Sequence, residues 1–409
     1  MAIDTPDAPA TDLHTPLDEL TLDDLRRRTS VKWRAYEPDV LPLWVAEMDV
    51  TIAPAVQEAI GRALRDGDTG YDFGPAYAEA LAAFAEQRWG WTLDVARTRA
   101  VADVMGGLTD VIKVLTGPGD AVVVSPPVYP PFYGFPGNEG RRIVEAPLAA
   151  DGRIDPATLE AAFASATGAG VFGRGSGAGR RAVYLLCNPH NPTGVAHTPA
   201  ELEGVLALAA RYGVRVVSDE IHAPVGGHLG TDGPRYTPLL TVPGADDAFA
   251  VLSASKAWNL AGLRTAVVVG GPGAAADLAR IPEEANHGVS HLAVIAHAAA
   301  LRDGVGWLDS TLAGIARNKA LFGDLVARHL PDARYAPAEA TYLGWLDCRG
   351  MPDDVSRAPA RFFHDRARVA VNEGAGFGTG GAGFVRVNLA TSPAILTEAV
   401  ERMAGALAR

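Results

Sequence analysis

Short apolar runs, each flanked by turn residues and separated by stretches of helical spacing, set the tightest limit on what this chain can fold into. Ala121-Val122-Val123-Val124-Ser125, Ala182-Val183-Tyr184-Leu185-Leu186, Val214-Arg215-Val216-Val217-Ser218, Phe249-Ala250-Val251-Leu252-Ser253 and Ala266-Val267-Val268-Val269 follow one another in this way. Runs that are apolar on both faces suit strands buried in a mostly parallel sheet covered by helices. Between them lie helical candidates such as Pro199 to Tyr212, with Thr198 placed as N-cap and Glu201 three residues on. The pattern predicts an α/β fold.

A chain of 409 residues is too long for one ordinary core, so a large domain plus a smaller one is expected. The character changes after about Gly304. A long helical stretch, Val305 to Leu330, leads into Tyr342 to Leu346, Val369 to Val371 and Phe384 to Asn388. These read as a smaller α+β domain completed by the N-terminal segment. The expected division is 1–54 for an N-terminal arm and part of the small domain, 55–304 for the large domain and 305–409 for the small one. The Gly/Ala/Ser-rich stretch Ala164 to Arg181 reads as a mobile surface loop.

Composition removes several function classes. The net charge of −12, from 36 basic and 48 acidic residues, repels nucleic acid and anionic membrane. No apolar run reaches the roughly 18 residues of a membrane helix. Met1 to Asp24 is acidic and lacks the basic region of a secretory signal. Two cysteines, Cys187 and Cys348, are too few and too far apart for a disulfide framework or a zinc site. The reading is a cytoplasmic protein without a structural metal.

Five segments carry chemistry. In Ser253-Ala254-Ser255-Lys256-Ala257-Trp258-Asn259-Leu260-Ala261-Gly262-Leu263-Arg264, a lysine follows a buried strand. Burial lowers an amine's pKa and makes it nucleophilic toward an aldehyde, and two serines and an arginine nearby can bind phosphate. Taken alone, Lys256 reads equally well as a surface lysine after an edge strand. Asp219, in Ser218-Asp219-Glu220-Ile221-His222, ends another strand, where α/β sheets place their ligands. Its carboxylate can keep a pyridine nitrogen protonated, or it can cap a helix. Cys187-Asn188-Pro189-His190-Asn191-Pro192-Thr193-Gly194 is turn chemistry that can also present Asn191 to a ring oxygen. Met105-Gly106-Gly107-Leu108 opens a helix, whose first N–H groups and dipole favour an anion. Arg386, inside the apolar strand Phe384 to Asn388, fits a carboxylate, with a structural ion pair as the alternative.

Together these segments resemble the fold-type I pyridoxal-phosphate (PLP) enzymes of the aminotransferase class I/II superfamily, from about Ser30 to the C-terminus. Ser30-Val31-Lys32-Trp33, Leu41 to Asp49, Gly70-Tyr71, Asp219 to His222 and the Asn372 to Asn388 stretch resemble one subgroup, the cystathionine β-lyases of the MalY/PatB type. The resemblance implies a PLP-transferase-like α/β fold, its large domain built on a mostly parallel seven-stranded sheet. It implies Lys256 as the Schiff-base lysine and Asp219 as partner of the pyridinium nitrogen. Asn191 would bond the ring oxygen, Tyr129 would stack on the ring, and His222 would stand where aminotransferases carry Tyr. Gly106, Gly107, Leu108, Ser253, Ser255 and Arg264 would cradle the phosphate. Arg386, with Asn191, Trp44 and Glu47, would meet the substrate. Tyr71 would reach the site of a neighbouring subunit, making a homodimer. Lys256, Tyr71 and Tyr129 would be catalytic.

The activity implied is α,β-elimination from cystathionine or another S-substituted cysteine. Alternatives are an aminotransferase, an enzyme acting on S-conjugated cysteine in specialised biosynthesis by C–S cleavage or by decarboxylation with oxidative deamination, and a regulatory relative that has lost activity. The chain departs from the subgroup at Glu47, where Asp is usual, and at Glu373 beside the Gly374 turn. Both fall in segments expected near the substrate entrance. The 164–181 insertion is also not typical.

Overall fold

The computed structural model describes residues 14–168, 181–226 and 235–408. Seven strands form the main sheet, in the spatial order Thr98–Val101, Ala266–Gly270, Phe249–Leu252, Val214–Asp219, Ala182–Cys187, Ala121–Val124 and Arg142–Glu145. The last five pair in parallel. Ala266–Gly270 runs antiparallel to both of its neighbours. The inner strands are buried along nearly their whole length, as their unbroken apolar runs predict. The two outermost strands are largely half-buried and carry Thr98, Arg99, Arg142 and Glu145. They lack the continuous apolar signature for that reason.

Helices pack on the sheet as the local sequence directs. Pro199–Tyr212 begins with the complete Thr198/Glu201 capping box. Val104–Leu115 lies so close to the sheet that a Cβ on Gly107 would come within 2.8 Å of Val101 Cγ2 and 3.0 Å of Val268 Cγ2. Glycine is required there by the approach of helix to strands. The helix Pro156–Thr167 takes in the beginning of the stretch read as a loop, so Ala164 to Thr167 are helical; residues 169–180 lie outside the described residues.

A second, four-stranded antiparallel sheet has the order Asn372–Glu373, Phe384–Asn388, Leu343–Asp347 and Arg334–Tyr335. The helices Val305–His329 and Pro393–Leu407 pack beside it, with a core that includes Phe322, Leu346, Phe363, Val385 and Leu396. Val369–Ala370 does not join this sheet. It pairs in parallel with Leu41–Pro42 from the N-terminal arm.

That arm is fixed by a buried ion pair. Lys32 Nζ lies 2.8 Å from Asp49 Oδ2 with both side chains inaccessible, and it also donates to Glu47 O at 2.9 Å. Trp33 Nε1 donates to Asp49 Oδ1 at 3.2 Å. Removing one member of such a pair strands the other charge in the interior, at a cost of about 3–5 kcal/mol. Lys32→Met is therefore expected to lower the urea unfolding midpoint sharply. Adding Asp49→Leu should recover part of the loss, since the second change removes the stranded charge. Equal midpoints for Lys32→Met and the wild type would contradict this.

Candidate active site

The carboxyl ends of the parallel strands open into a cavity of about 320 Å³, where open α/β sheets bind ligands. Cys187 and Asp219 end adjacent strands in direct register, and Ser253 follows the next strand inward. Lys256, Asp219, Asn191, His222, Tyr129, Ser253, Ser255, Arg264 and Arg386 all line the cavity. Nine of the site residues expected from the sequence thus come together from five separate segments. Gly106, Gly107, Leu108, Trp44 and Glu47 lie outside the lining, and Tyr71 is 96% exposed.

Lys256 comes from the connection between Phe249–Leu252 and Ala266–Gly270, both interior to the sheet, so it is not a lysine after an edge strand. Its Nζ donates to Ala46 O at 3.1 Å. Burial, assisted by the positive field of Arg386, lowers its pKa to about 8. The loop is braced from behind: Ala254 N donates to Tyr77 Oη at 3.0 Å, and His297 contacts Tyr77 Oη at 3.1 Å and Leu263 O at 2.8 Å.

Asp219 caps no helix. Its Oδ1 accepts the Ile221 N–H at 3.1 Å, and burial raises its pKa to about 6. A cation against this carboxylate would offset its desolvation. Glu220 points the other way, accepting from Asn188, Ser218, Tyr236 and Leu239 N, and is structural. His222 is pushed down to about 3 by burial and by the charges of Lys256 and Arg386, so its ring is neutral at pH 7. Its Nδ1 is buried with no hydrogen-bond partner among the described residues.

Arg386 occupies the interior of the small sheet, opposite Trp345 and Asn372. Nη1 donates to Asn191 Oδ1 at 3.1 Å; Nη2 donates to Trp44 O at 3.0 Å and Asn372 Oδ1 at 2.6 Å. All three acceptors are neutral, Nε has no acceptor, and no carboxylate pairs with this buried guanidinium among the described residues. Burial lowers its pKa to about 10. A structural ion pair therefore does not account for Arg386. It is a buried cation with room for an anion from the cavity.

The opposite end of the cavity differs in detail from expectation. Gly106 N is already capped by Asp103 Oδ1 at 2.9 Å, and Gly107 N bonds Asp103 O within the helix. Leu108 is packed in the core. Val104 and Met105, the first residues of the helix, are the ones that face the cavity, and first-turn N–H groups have no intrahelical acceptor. Arg264 pairs with Asp103. Thr265 lines the same wall with a buried Oγ1 that has no partner among the described residues. Polar groups left unsatisfied around an enclosed wall fit a phosphate, and a carboxylate beside a buried lysine fits a protonated ring.

Sequence reasoning did not single out Asp103, Thr265, Tyr342 or the backbone of the Trp44–Met48 segment. Each of that segment's carbonyls accepts a side-chain donor: Arg386 at Trp44, Asn388 at Val45, Lys256 and Tyr342 at Ala46, Asn388 and Lys32 at Glu47, Asn259 and Arg28 at Met48. Only Asp103 left a local trace, as an acidic residue just before a helix. Glu47 Oε1 accepts from Ser30 Oγ at 2.5 Å. Glu373 does not reach the cavity: its Oε2 accepts from Ala360 N at 3.0 Å, while its neighbour Asn372 is the residue that touches Arg386.

The model of the family described as aminotransferase class I and II matches residues 41–403. A Mycobacterium leprae protein named "Putative cystathionine beta-lyase" is 55% identical over 404 residues, covering 96% of this chain and 98% of its own. A Corynebacterium glutamicum cystathionine beta-lyase is 32% identical, covering 94% and 99%. A solved Corynebacterium diphtheriae structure, titled a "putative plp-dependent beta-cystathionase", superposes with a TM-score of 0.87 at 34% identity, covering 96% and 99%.

Proposed function

The chain belongs to the aminotransferase class I and II family, and on that premise we propose that it is a PLP-dependent carbon–sulfur β-lyase. It cleaves cystathionine or another S-substituted L-cysteine to a thiol, pyruvate and ammonia. The observation that carries this reading is the convergence of Lys256, Asp219 and a carboxylate-free Arg386 on one cavity. The names of the similar proteins direct it to C–S elimination.

PLP, when bound, supplies a protonated ring that takes up the electron pair left at the substrate Cα. Lys256 would carry the cofactor through its amine, and Asp219 would hold the proton on the ring nitrogen. Asn191, whose carbonyl oxygen is engaged by Arg386, offers its amide –NH2 to the ring oxygen. Tyr129 would cover one ring face and His222 would lie beside the ring, since both line the cavity. Arg264, Ser253, Ser255, Thr265 and the helix start at Val104 and Met105 would receive the phosphate, with Gly106, Gly107 and Leu108 behind them in the helix. Arg386 takes the substrate carboxylate as a charge-assisted pair. Trp44 and Glu47, which flank the lining residues Val45 and Ala46, would stand on the substrate side, at the entrance.

With the cofactor's aldehyde carbon taken by the substrate amine, the free amine of Lys256 would remove the Cα proton. With a pKa near 8, it is a competent base close to neutral pH. The C–S bond at Cβ then breaks, the electron pair leaves with the thiolate, and water releases pyruvate and ammonia. A thiolate needs little acid assistance. Tyr71 serves the cavity of a second copy of the chain, so the enzyme is a homodimer with shared sites. The division that goes with this reading is 1–54 for the N-terminal arm and part of the small domain, 55–304 for the large PLP-binding domain and 305–409 for the small domain. No helix among the described residues is long and apolar enough to cross a membrane.

The test is product balance. Holoprotein incubated with cystathionine or an S-alkyl cysteine, without a keto acid, is expected to release pyruvate, ammonia and thiol in equal amounts over many turnovers. A single turnover that stalls and resumes on adding a keto acid would identify an aminotransferase instead.

A further inference from the structure

The turn between the helices Pro54–Asp66 and Ala76–Trp89 carries Tyr71 and Phe73, each 96% exposed. Aromatic side chains this exposed have no local contacts to fix their direction, so the turn must be fixed from its other side. Asp68 and Asp72, spaced four residues apart around Tyr71, both turn back onto His291. Nδ1 of His291 lies 3.1 Å from Asp72 Oδ1, and Nε2 lies 3.2 Å from Asp68 Oδ1. His291 is the first residue of the helix His291–Asp303, which packs against both helices that flank the turn.

An ionised carboxylate only accepts hydrogen bonds, and a neutral imidazole donates through one nitrogen alone. Both contacts are therefore hydrogen bonds only when the ring is an imidazolium. We propose that His291 is a positioning residue that holds Tyr71 in its projecting form while it bridges Asp68 and Asp72. The inference rests on the reading that Tyr71 serves the cavity of a second copy. Asp72 and Asp68 raise the pKa of His291, against the effect of burial, and they are the charged groups that act on it; among the described residues, no side chain of the two flanking helices pairs with it. The sign follows. The doubly bonded clamp is complete below the ordinary histidine range and persists somewhat above it. It is lost as pH rises through the raised pKa.

The experiment measures kcat and KM for β-elimination by holoenzyme from pH 6 to 10, for the wild type, Tyr71→Phe, His291→Gln, His291→Arg and the Tyr71→Phe/His291→Gln pair. His291→Gln is expected to lose about tenfold in kcat/KM, with little added by Tyr71→Phe in the pair, as coupled residues are non-additive. His291→Arg, which stays cationic throughout, should retain activity and lose the alkaline decline attributable to His291. Full activity in His291→Gln beside a defective Tyr71→Phe overturns the proposal and leaves the Tyr71 reading intact. Full activity in Tyr71→Phe overturns the Tyr71 reading itself. If His291→Gln does not fold, the His291→Arg profile decides: superposition on the wild type at all pH values overturns the proposal.

Discussion

Lys256→Ala is expected to abolish turnover, with kcat falling by about 10⁴-fold, the upper range for removing a positioned acid–base group. In the proposed reaction the loss combines two roles, since the same amine would carry the cofactor and remove the Cα proton. The surroundings set its strength as a base. Burial and the neighbouring Arg386 bring its pKa to about 8, and its contact with Ala46 O aims Nζ along the cavity wall. Alanine has no amine to form a Schiff base, so bound PLP should be reducible by borohydride onto Lys256 in the wild type and onto no residue in the variant. Steady-state release of pyruvate, followed with peptide mapping after reduction, checks both parts. Turnover by Lys256→Ala within tenfold of the wild type would remove Lys256 from the mechanism.

Asp219→Asn is expected to lower kcat by about 10³-fold while the protein still binds PLP, because the change removes a charge and leaves shape and the Ile221 hydrogen bond in place. In the free protein, burial raises the Asp219 pKa to about 6. A protonated ring nitrogen against it favours the ionised form, and each partner raises the other's preference for its charged state. Asparagine cannot hold that proton, so the ring loses its capacity to take up the Cα electron pair. Pre-steady-state absorbance separates binding from chemistry. Unchanged kcat in Asp219→Asn would show that the ring nitrogen has another partner.

The sequence patterns that survived into the structure are those governed by local chemistry. Continuous apolar runs became inner strands, Thr198 and Glu201 formed their capping box, and the residues that end or follow inner strands met at one cavity. What was hidden depends on distant contacts. Thr98–Val101 and Arg142–Glu145 are sheet edges, where one face is wet and the sequence need not be apolar. Val369–Ala370 chose Leu41–Pro42 as its partner across more than three hundred residues, which no periodicity can announce. Gly107 drew attention as part of an anion site, yet its missing side chain answers to Val101 and Val268. Thr265 was overlooked beside Arg264 because a lone hydroxyl carries no signal until its burial and empty hydrogen-bonding capacity are seen.

The five consecutive carbonyls from Trp44 to Met48 have a consequence for synthesis on the ribosome. Their donors include Asn259, Tyr342, Arg386 and Asn388. Carbonyl-to-donor separations are long: 342 positions separate Trp44 from Arg386, and 343 separate Val45 from Asn388. A growing chain can assemble the inner strands of the large sheet once residue 270 has appeared, but one wall of the cavity stays unbuilt until Arg386 and Asn388 have followed. Completion of the pocket thereby reports that the small sheet has been made and has docked.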